Sequence, residues 1–562
     1  MAYAAVPSAQ DLIARADKLA ADRAVLDSNL EQVRELFYPT APKFTGKGTP
    51  GEKVHEKVFD STPENAGEFL AAGLQSLLTN PGTIWFDLST LDKDLMKNEG
   101  VARWLESARD GMLADFNSPK SNFTPQQHEK YMELVTFGTG VMYIADRPAK
   151  SILFSSRPLA ECTIAESDEG LVDTLYRRFT LTARQAVQQW GEAVPEKVGK
   201  ASADPKKQDT EFKFLHCTEP RPGPHGAARD RKPFASYYVA IDEKVVMQVG
   251  GYDEFPYTVP RWSKRAGEVY GRGPGMKTLA DARMLQRMMK TTIRGAEKIV
   301  DPSLLVADDG VLSPVRVMPA GKTYVRWDTM QGAGAPVRPL QTGGRPELGL
   351  ELIERTRKSI QEGNYNDLFK FARDPNMKAT VYLGILDQVM QALNPIIGRM
   401  QVEDLGQLID RVFAIKFRRG DFDAPPPELE GQPLKVEYVS PVAKTQRVSA
   451  VRGLGQWMEL WAPMAQAKPE IMDLLDEQPA MRDSADLLGL SKTWLRSADK
   501  IAAMAAERTR VQEAAARAAG AQQTAETLAT GAKGAKALSD AMGGAAMNGP
   551  AAAPPQPMGA AA

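Results

Sequence analysis

Apolar residues recur at helical spacing through most of the first 140 residues. In residues 8–37, Leu12, Leu19, Leu26 and Val33 return every seven, with Ile13, Leu30 and Phe37 beside them. Tyr38-Pro39 closes the run. The repeat is short, so it predicts a long helix packed on a core and not a coiled coil. A loop rich in glycine and lysine follows at 43–53. Ser61-Thr62-Pro63-Glu64 then reads as a capping box with proline at the first helical position. Phe69, Leu70, Leu74, Leu77 and Leu78 give that helix one apolar side, Asn80-Pro81-Gly82 ends it, and residues 83–88 read as a strand. Two more amphipathic helices are expected at 101–116 and 125–137, the second capped by Thr124.

From 141 to 262 the period shortens to two. Strands are expected at 141–145, 151–155, 171–181, 212–217, 236–241 and 245–248, with a short helix at 183–190 and a flexible polar insertion at 197–209. Residues 1–265 are read as one α+β domain. The glycine-rich turn Gly271-Arg272-Gly273-Pro274-Gly275 then opens a helix of about 25 residues, which reaches roughly 37 Å. Leu285, Met288, Met289, Thr292, Ile293 and Ala296 form its apolar face. Arg283, Arg287, Lys290, Arg294 and Lys298 form one basic stripe. Short β-like pieces fill 301–340. A return helix at 346–362 carries an acidic stripe of Glu347, Glu351 and Glu354. The two stripes suit pairing between the helices, or between identical subunits standing side by side.

A polar and aromatic loop is expected at 364–378. Residues 379–417 are apolar-periodic, with Pro395 predicted to kink them. A proline-rich linker covers 418–433, a strand 434–439, short helices 443–498 and an alanine-rich helix 497–530. Disorder is expected beyond Met542. The sum is an α+β chain, mainly helical.

Charge changes the picture of the basic stripe. Lys plus Arg number 70 and Asp plus Glu 71 in 562 residues, a net charge of −1. A chain that grips nucleic acid by its phosphates carries a positive excess, so DNA contact here should be local or transient. Two cysteines, Cys162 and Cys217, argue against a disulfide framework. No signal peptide and no membrane span are expected. Catalytic patterns are wanting. Residues 46–53 space their glycines like a P-loop but carry Glu52 where lysine is required. His216 and Cys217 are adjacent, hence on opposite faces of a strand and poorly placed to share a metal. There is no G-x-S-x-G elbow. The expectation is no enzyme, no cofactor and no metal. The alternative is a metal-dependent nucleic-acid-processing enzyme built from scattered carboxylates.

Several stretches together carry a resemblance: Phe59-Asp60-Ser61-Thr62 followed by Leu70 to Thr79 and Trp85-Phe86; Glu268 to Pro274 with Leu279-Ala280-Asp281; Asp301-Pro302 and Asp308-Asp309-Gly310; Met377-Lys378-Ala379-Thr380; and Tyr438 to Ala443, preceded by Arg411, Phe413 and Pro425-Pro426-Pro427. In this order the chain resembles the head-to-tail connector (portal) proteins of short-tailed bacteriophages, over roughly residues 5–510. Lys378 and Val381 depart from the family's usual pattern at the fourth stretch.

The resemblance implies a ring, typically of about twelve subunits, at one capsid vertex of the virion, assembled in the host cytoplasm. Double-stranded DNA would pass through it in packaging and ejection. Terminase and later tail adaptors would dock on it, beside capsid or scaffolding proteins. It implies a wing (1–265, with 379–442), stem helices (266–300 and 346–363), with Gly271–Gly275 as the hinge where wing hands over to stem, a clip (301–345), a channel loop (364–378), a crown (443–497), a C-terminal barrel helix (498–542) and a disordered tail (543–562). Lys322, Arg326, Arg373 and Lys378 are the candidates to face DNA. Arg283, Arg287, Lys290, Arg294, Glu347, Glu351 and Glu354 are the candidates to pair between stems.

Overall fold

The structure is a computed structural model. It describes residues 6–300 except 47, 50, 93, 148–150 and 222–231; the strands Leu304–Val306 and Val337–Pro339; residues 346–370, 391–429, 431 and 434–438; scattered positions between 453 and 485; and 498–543. It forms two units, Met1–Leu488 and Gly489–Ala562.

Helix α1 (Ala9–Phe37) starts where Ser8 Oγ accepts from Asp11 N at 3.2 Å and Asp11 answers the Ser8 N–H. α2 (Thr62–Leu78) begins differently from expectation. Ser61 makes no side-chain cap; Asp60 Oδ1 accepts from Thr62 N at 2.8 Å instead. β1 (Phe86–Thr90) and α3 (Glu99–Asn117) follow. α4 (Phe123–Phe137) is entered through Asn122 in the left-handed region, so Thr124 lies inside the helix and is not its cap.

The β region holds β2 (Met142–Ala145), β3 (Leu153–Ser156), β4 (Cys162–Glu166) and β5 (Val172–Thr182). The helices α5 (Ala183–Trp190) and α6 (Glu196–Ala203) come next, then β6 (Glu211–Pro220), β7 (Phe234–Ala240), β8 (Val245–Tyr252) and β9 (Tyr257–Thr258). Two sheets result, antiparallel throughout: β3-β2-β9 and β4-β5-β6-β7-β8. The β4 strand was not anticipated. The expected flexible insertion is partly α6, whose Val198 and Ala201 are buried beside Trp190 and Phe214. His216 and Cys217 do lie on opposite faces. Cys217 packs under α1, and His216 bonds Tyr257 Oη at 2.7 Å and Ser236 Oγ at 3.0 Å.

Helix α1 joins the layers. Its first half, with Leu12 and Ala16, covers Tyr176, Leu215, Tyr237 and Val239 of the large sheet. Its second half, with Leu30, Val33 and Phe37, enters a core shared with Ala282, Leu285, Ile353 and Ile360. Those last four belong to a helical hairpin. After the single turn α7 (Pro274–Lys277), α8 (Leu279–Val300) runs out and α9 (Pro346–Gly363) returns, with β10 (Leu304–Val306) and β11 (Val337–Pro339) paired antiparallel between them. The short helix α10 (Asn366–Lys370) occupies the start of the stretch expected to be a loop.

Residues 391–400 are helical through Pro395. The departure from α geometry lies beyond it, in a π turn at Gln401–Gly406 that leads into α11 (Gln407–Arg419). β12 (Leu434–Tyr438) pairs with β1. The second unit contains α12 (Ala498–Gly543), longer than the alanine-rich run expected. The expected crown, apart from scattered positions, and the expected tail lie outside the described residues.

Candidate functional site: the helical hairpin and its socket

The hairpin is seated by Asp60. One carboxylate oxygen caps α2; the other accepts from Arg357 Nε of α9 at 2.8 Å. Gln286 of α8 accepts from Phe59 N and Asp60 N at 2.7 and 2.9 Å and donates to Asp60 O at 2.7 Å. Burial pushes the Asp60 carboxyl up, but the bonds from Thr62 and Arg357 outweigh it and hold the group below its ordinary value. Asp60, in a stretch with no catalytic pattern, thus ties both hairpin helices to the body, α9 through its carboxylate and α8 through its backbone.

The glycine turn before α8 is a socket and not a hinge. A Cβ on Gly273 would lie 2.5 Å from Val135 O and 2.8 Å from Gly138 N, and one on Gly275 would lie 2.8 Å from Thr136 O. A Cβ on Gly271 would overlap Gly138 O. Gly138 ends α4 with φ +83°, a conformation glycine adopts without strain. Gly271 N donates to Thr139 Oγ1 at 2.9 Å and Arg272 N to Ser263 O at 2.8 Å. The glycines let two backbones touch where any side chain would hold them apart.

Below the socket lies a chain of buried ions. Arg261, fully buried, donates to Glu403 through Nε (3.1 Å) and Nη2 (2.7 Å), to Glu166 at 2.7 Å, and to the carbonyls of Gly170 and Val269 at 2.7 and 3.1 Å. Lys264 also reaches Glu166 at 2.6 Å. The next residue along the π turn, Asp404, pairs with Lys130 of α4, and neither side chain is exposed at all. Burial pushes the Lys130 ammonium down, against the pull of Asp404. The π turn therefore sends two successive carboxylates to two different buried cations, one under the socket and one within α4.

The stripes of α8 and α9 turn away from each other. At about 100° per residue, the basic stripe lies opposite Ala282 and Leu285, the buried side of α8. The acidic stripe lies on the side of α9 away from Gly349, Thr356 and Gly363, the positions nearest α8 or the body. Arg283, Arg287, Lys290, Arg294, Glu351 and Glu354 are all exposed. Among the described residues no ion pair joins the two stripes; Glu354 pairs with Arg357 on its own helix. Pairing between the two helices of one chain is thereby excluded for these residues. Arg283 and Arg287 border a cavity of about 230 Å³ with Gln32, Glu35, Leu36, Lys57 and Gln286, in which Lys57 holds Glu35 at 2.6 Å. Lys290 Nζ sits 5.3 Å over the Phe59 ring. Lys322, Arg326, Arg373 and Lys378 lie outside the described residues, as does the side chain of Glu347.

A family profile described as bacteriophage head to tail connecting protein matches residues 9–495. The chain belongs to that family. Its function is that of a head-to-tail connector, a portal protein. It is similar to the portal protein of Salmonella phage epsilon15, 29% identical over 539 residues, covering 94% of this chain and 95% of that one. It is also similar to the probable portal protein of Bordetella phage BPP-1, 28% identical over 530 residues, with 92% and 94% covered. The match leaves the alternative of a nucleic-acid-processing enzyme without support. Among the described residues no group of three or more His, Cys, Asp or Glu could hold a metal ion, and no helix is long and apolar enough to cross a membrane.

Sequence reasoning found the connector's stripes but missed Asp60, Arg261, Lys130, Glu403 and Asp404 as the residues that seat it. Asp404 and Glu403 carry the one faint signal. They are charges inside a long apolar-periodic run, where an unpaired charge would be costly.

Proposed function

We propose that about twelve copies of this chain form a closed ring at one vertex of the capsid, with the hairpins standing side by side as its stem. Double-stranded DNA passes through the axis in packaging and ejection. Residues 1–265 and 379–442 form the wing around the stem. Residues 301–345 form the clip, where terminase and then tail adaptors dock, and 364–378 line the channel. Capsid or scaffolding proteins meet the wing, residues 443–497 form a crown, and 498–542 a C-terminal barrel helix.

One observation carries the reading. Each hairpin is a two-helix plate with a cationic stripe on α8 and, facing the opposite way on α9, the carboxylates Glu351 and Glu354, which share that side with Arg355 and Lys358. Such a plate has no use for its edges alone, but it is complementary to a second copy of itself in a head-to-tail contact, the kind that closes into rings. Membership of the connector family agrees with it. The near-neutral total charge agrees as well, since a uniformly basic bore would hold DNA through counterion release and oppose sliding. Electron microscopy of the purified chain, with light scattering for mass, tests the proposal. A ring with a central hole and about twelve copies is expected. A monomer at every salt and protein concentration overturns it.

A further inference from the structure

Two close approaches set the register of the hairpin. A Cβ on Gly349 would lie 3.4 Å from Thr292 Oγ1, and one on Gly363 would overlap the Thr278 methyl. The same number of residues separates the two glycines and the two threonines, so neither antiparallel helix slips along the other between these points. With the same rise per residue on both helices, heights along the hairpin follow directly. Residue 287 stands level with 354, and residue 290 with 351. The level partners are opposite in charge, Arg287 with Glu354 and Lys290 with Glu351, and they sit on opposite edges of the plate. Residue 294 stands level with 347, which continues the series one turn further out. The match ends toward the body. Arg283 stands level with Lys358, a like charge, and borders the cavity with Gln32 and Glu35 instead.

We propose that these levels are the rungs of the subunit contact: Arg287 of one copy meets Glu354 of the next, and Lys290 meets Glu351, in stems that stand along the ring axis. This rests on the ring reading above. The geometry adds something the stripes alone do not. A contact between residues at equal height relates neighbours by rotation without a step along the axis, and that is the condition for a ring to close and not climb into a filament. A pairing of Arg287 with Glu351 would be three residues out of level, a step of roughly 4.5 Å between neighbours. Glu354 is available for the role. Its contact with Arg357 uses Oε1, and the side chain is 69% exposed. Arg287 is exposed, and Lys290 lies against Phe59 with its ammonium at the surface.

The test is charge reversal with level-matched and level-mismatched rescue, read as the protein concentration at which half the chain is in rings. Arg287→Glu is expected to raise that concentration on the order of tenfold. Adding Glu354→Arg should restore it, and adding Glu351→Arg should not. Lys290→Glu should show the reverse preference, restored by Glu351→Arg. Circular dichroism melting of each variant, with a midpoint equal to that of the parent, separates lost contact from lost fold at these exposed positions. Rescue of Arg287→Glu by Glu351→Arg alone overturns the level pairing. Rings that form normally with Arg287→Glu and Lys290→Glu overturn the pairing and leave the ring intact as a reading. No ring from the parent chain overturns both.

Discussion

Replacing Gly273 with alanine distinguishes a socket from a hinge, and the two readings predict opposite phenotypes. The added methyl would sit 2.5 Å from Val135 O, 2.8 Å from Gly138 N and 3.0 Å from Leu134 O. All three are backbone atoms of α4 or its end, and α4 is held by a core in which Tyr131, Leu134 and Val135 are wholly buried. No flexible side chain can yield, so the strands of backbone must part. Overpacking of this kind costs about 1–3 kcal/mol, and separating the Gly271–Thr139 and Arg272–Ser263 hydrogen bonds adds about 1 kcal/mol for each one lost. With both bonds lost, the expected loss is roughly 3–5 kcal/mol. With an unfolding entropy of about 2.1 cal/mol/K per residue, a unit spanning Met1–Leu488 shifts by about 1 °C per kcal/mol, so the main thermal transition should fall by roughly 3–5 °C. Gly295→Ala is the matched control within α8. Nothing lies within 4 Å of the position a Cβ would take, so it should gain about 0.8–1 kcal/mol of helix propensity. Differential scanning calorimetry on the unassembled chain reads both. If Gly273→Ala melts like the parent and only assembly or DNA passage is impaired, the close packing is not what the glycine serves, and the hinge reading returns.

The buried pair of Lys130 and Asp404 should show the asymmetry of a desolvated ion pair. Asp404→Asn should cost about 3–5 kcal/mol by stranding the ammonium, while the double change Lys130→Met with Asp404→Leu should recover most of that loss; urea unfolding of the single and double variants checks it, and additive losses would refute it. Glu133, buried in α4 with both oxygens 3.2 Å from Leu159 N, is pushed up to about 8, chiefly by burial. Its folded pKa lies above the unfolded value, so the stability it contributes is present in full below about pH 4.5 and is lost as pH rises through 8. At 1.36 kcal/mol per pH unit the loss approaches about 5 kcal/mol. Glu133→Gln should flatten melting midpoints between about pH 5 and 9, and an unchanged pH profile would count against it. His216 acts at the other limb. Burial pushes it down to about 3, so its contribution is present above about pH 6.5 and is lost as pH falls toward 3. His216→Gln should lessen the acid sensitivity of the midpoint, and equal acid lability in the variant would assign that limb to other groups.

What could be read along the chain was whatever depends on spacing alone. The 183–190 helix matches α5 (Ala183–Trp190) because Thr182 and Gln185 form a capping box within four residues. The α8 and α9 helices stand where their stripes put them. Errors begin where a local signal had a remote competitor. Ser61 and Thr124 have the chemistry of caps, yet Asp60 takes the first role because Gln286 and Arg357 hold it in place. The second goes unfilled, because the chain enters α4 through Asn122 in the left-handed region, which places Thr124 inside the helix and leaves its start without a side-chain cap. The polar segment at 197–209 looked mobile because only Val198 and Ala201 are apolar at helical spacing; two buried contacts under Trp190 suffice to order α6. Lys130 and Asp404 are 274 residues apart, a pairing on which spacing says nothing.

The same division explains why the stripes were legible and their partners were not. A stripe is a property of one helix, and periodicity reveals it. Which way a stripe points is a property of two helices, decided by where Ala282, Leu285, Ile353 and Ile360 are buried. Read from spacing, basic and acidic stripes on consecutive antiparallel helices suit each other. Read from burial, the apolar sides meet and the charges face out, and this is what supports the proposal that the partner is a second copy of the chain. In that proposal the meeting heights depend on Gly349 and Gly363, which let α9 approach Thr292 and Thr278 closely. The register of α8 against α9, on which the proposed level contact depends, thus rests on the absence of two side chains.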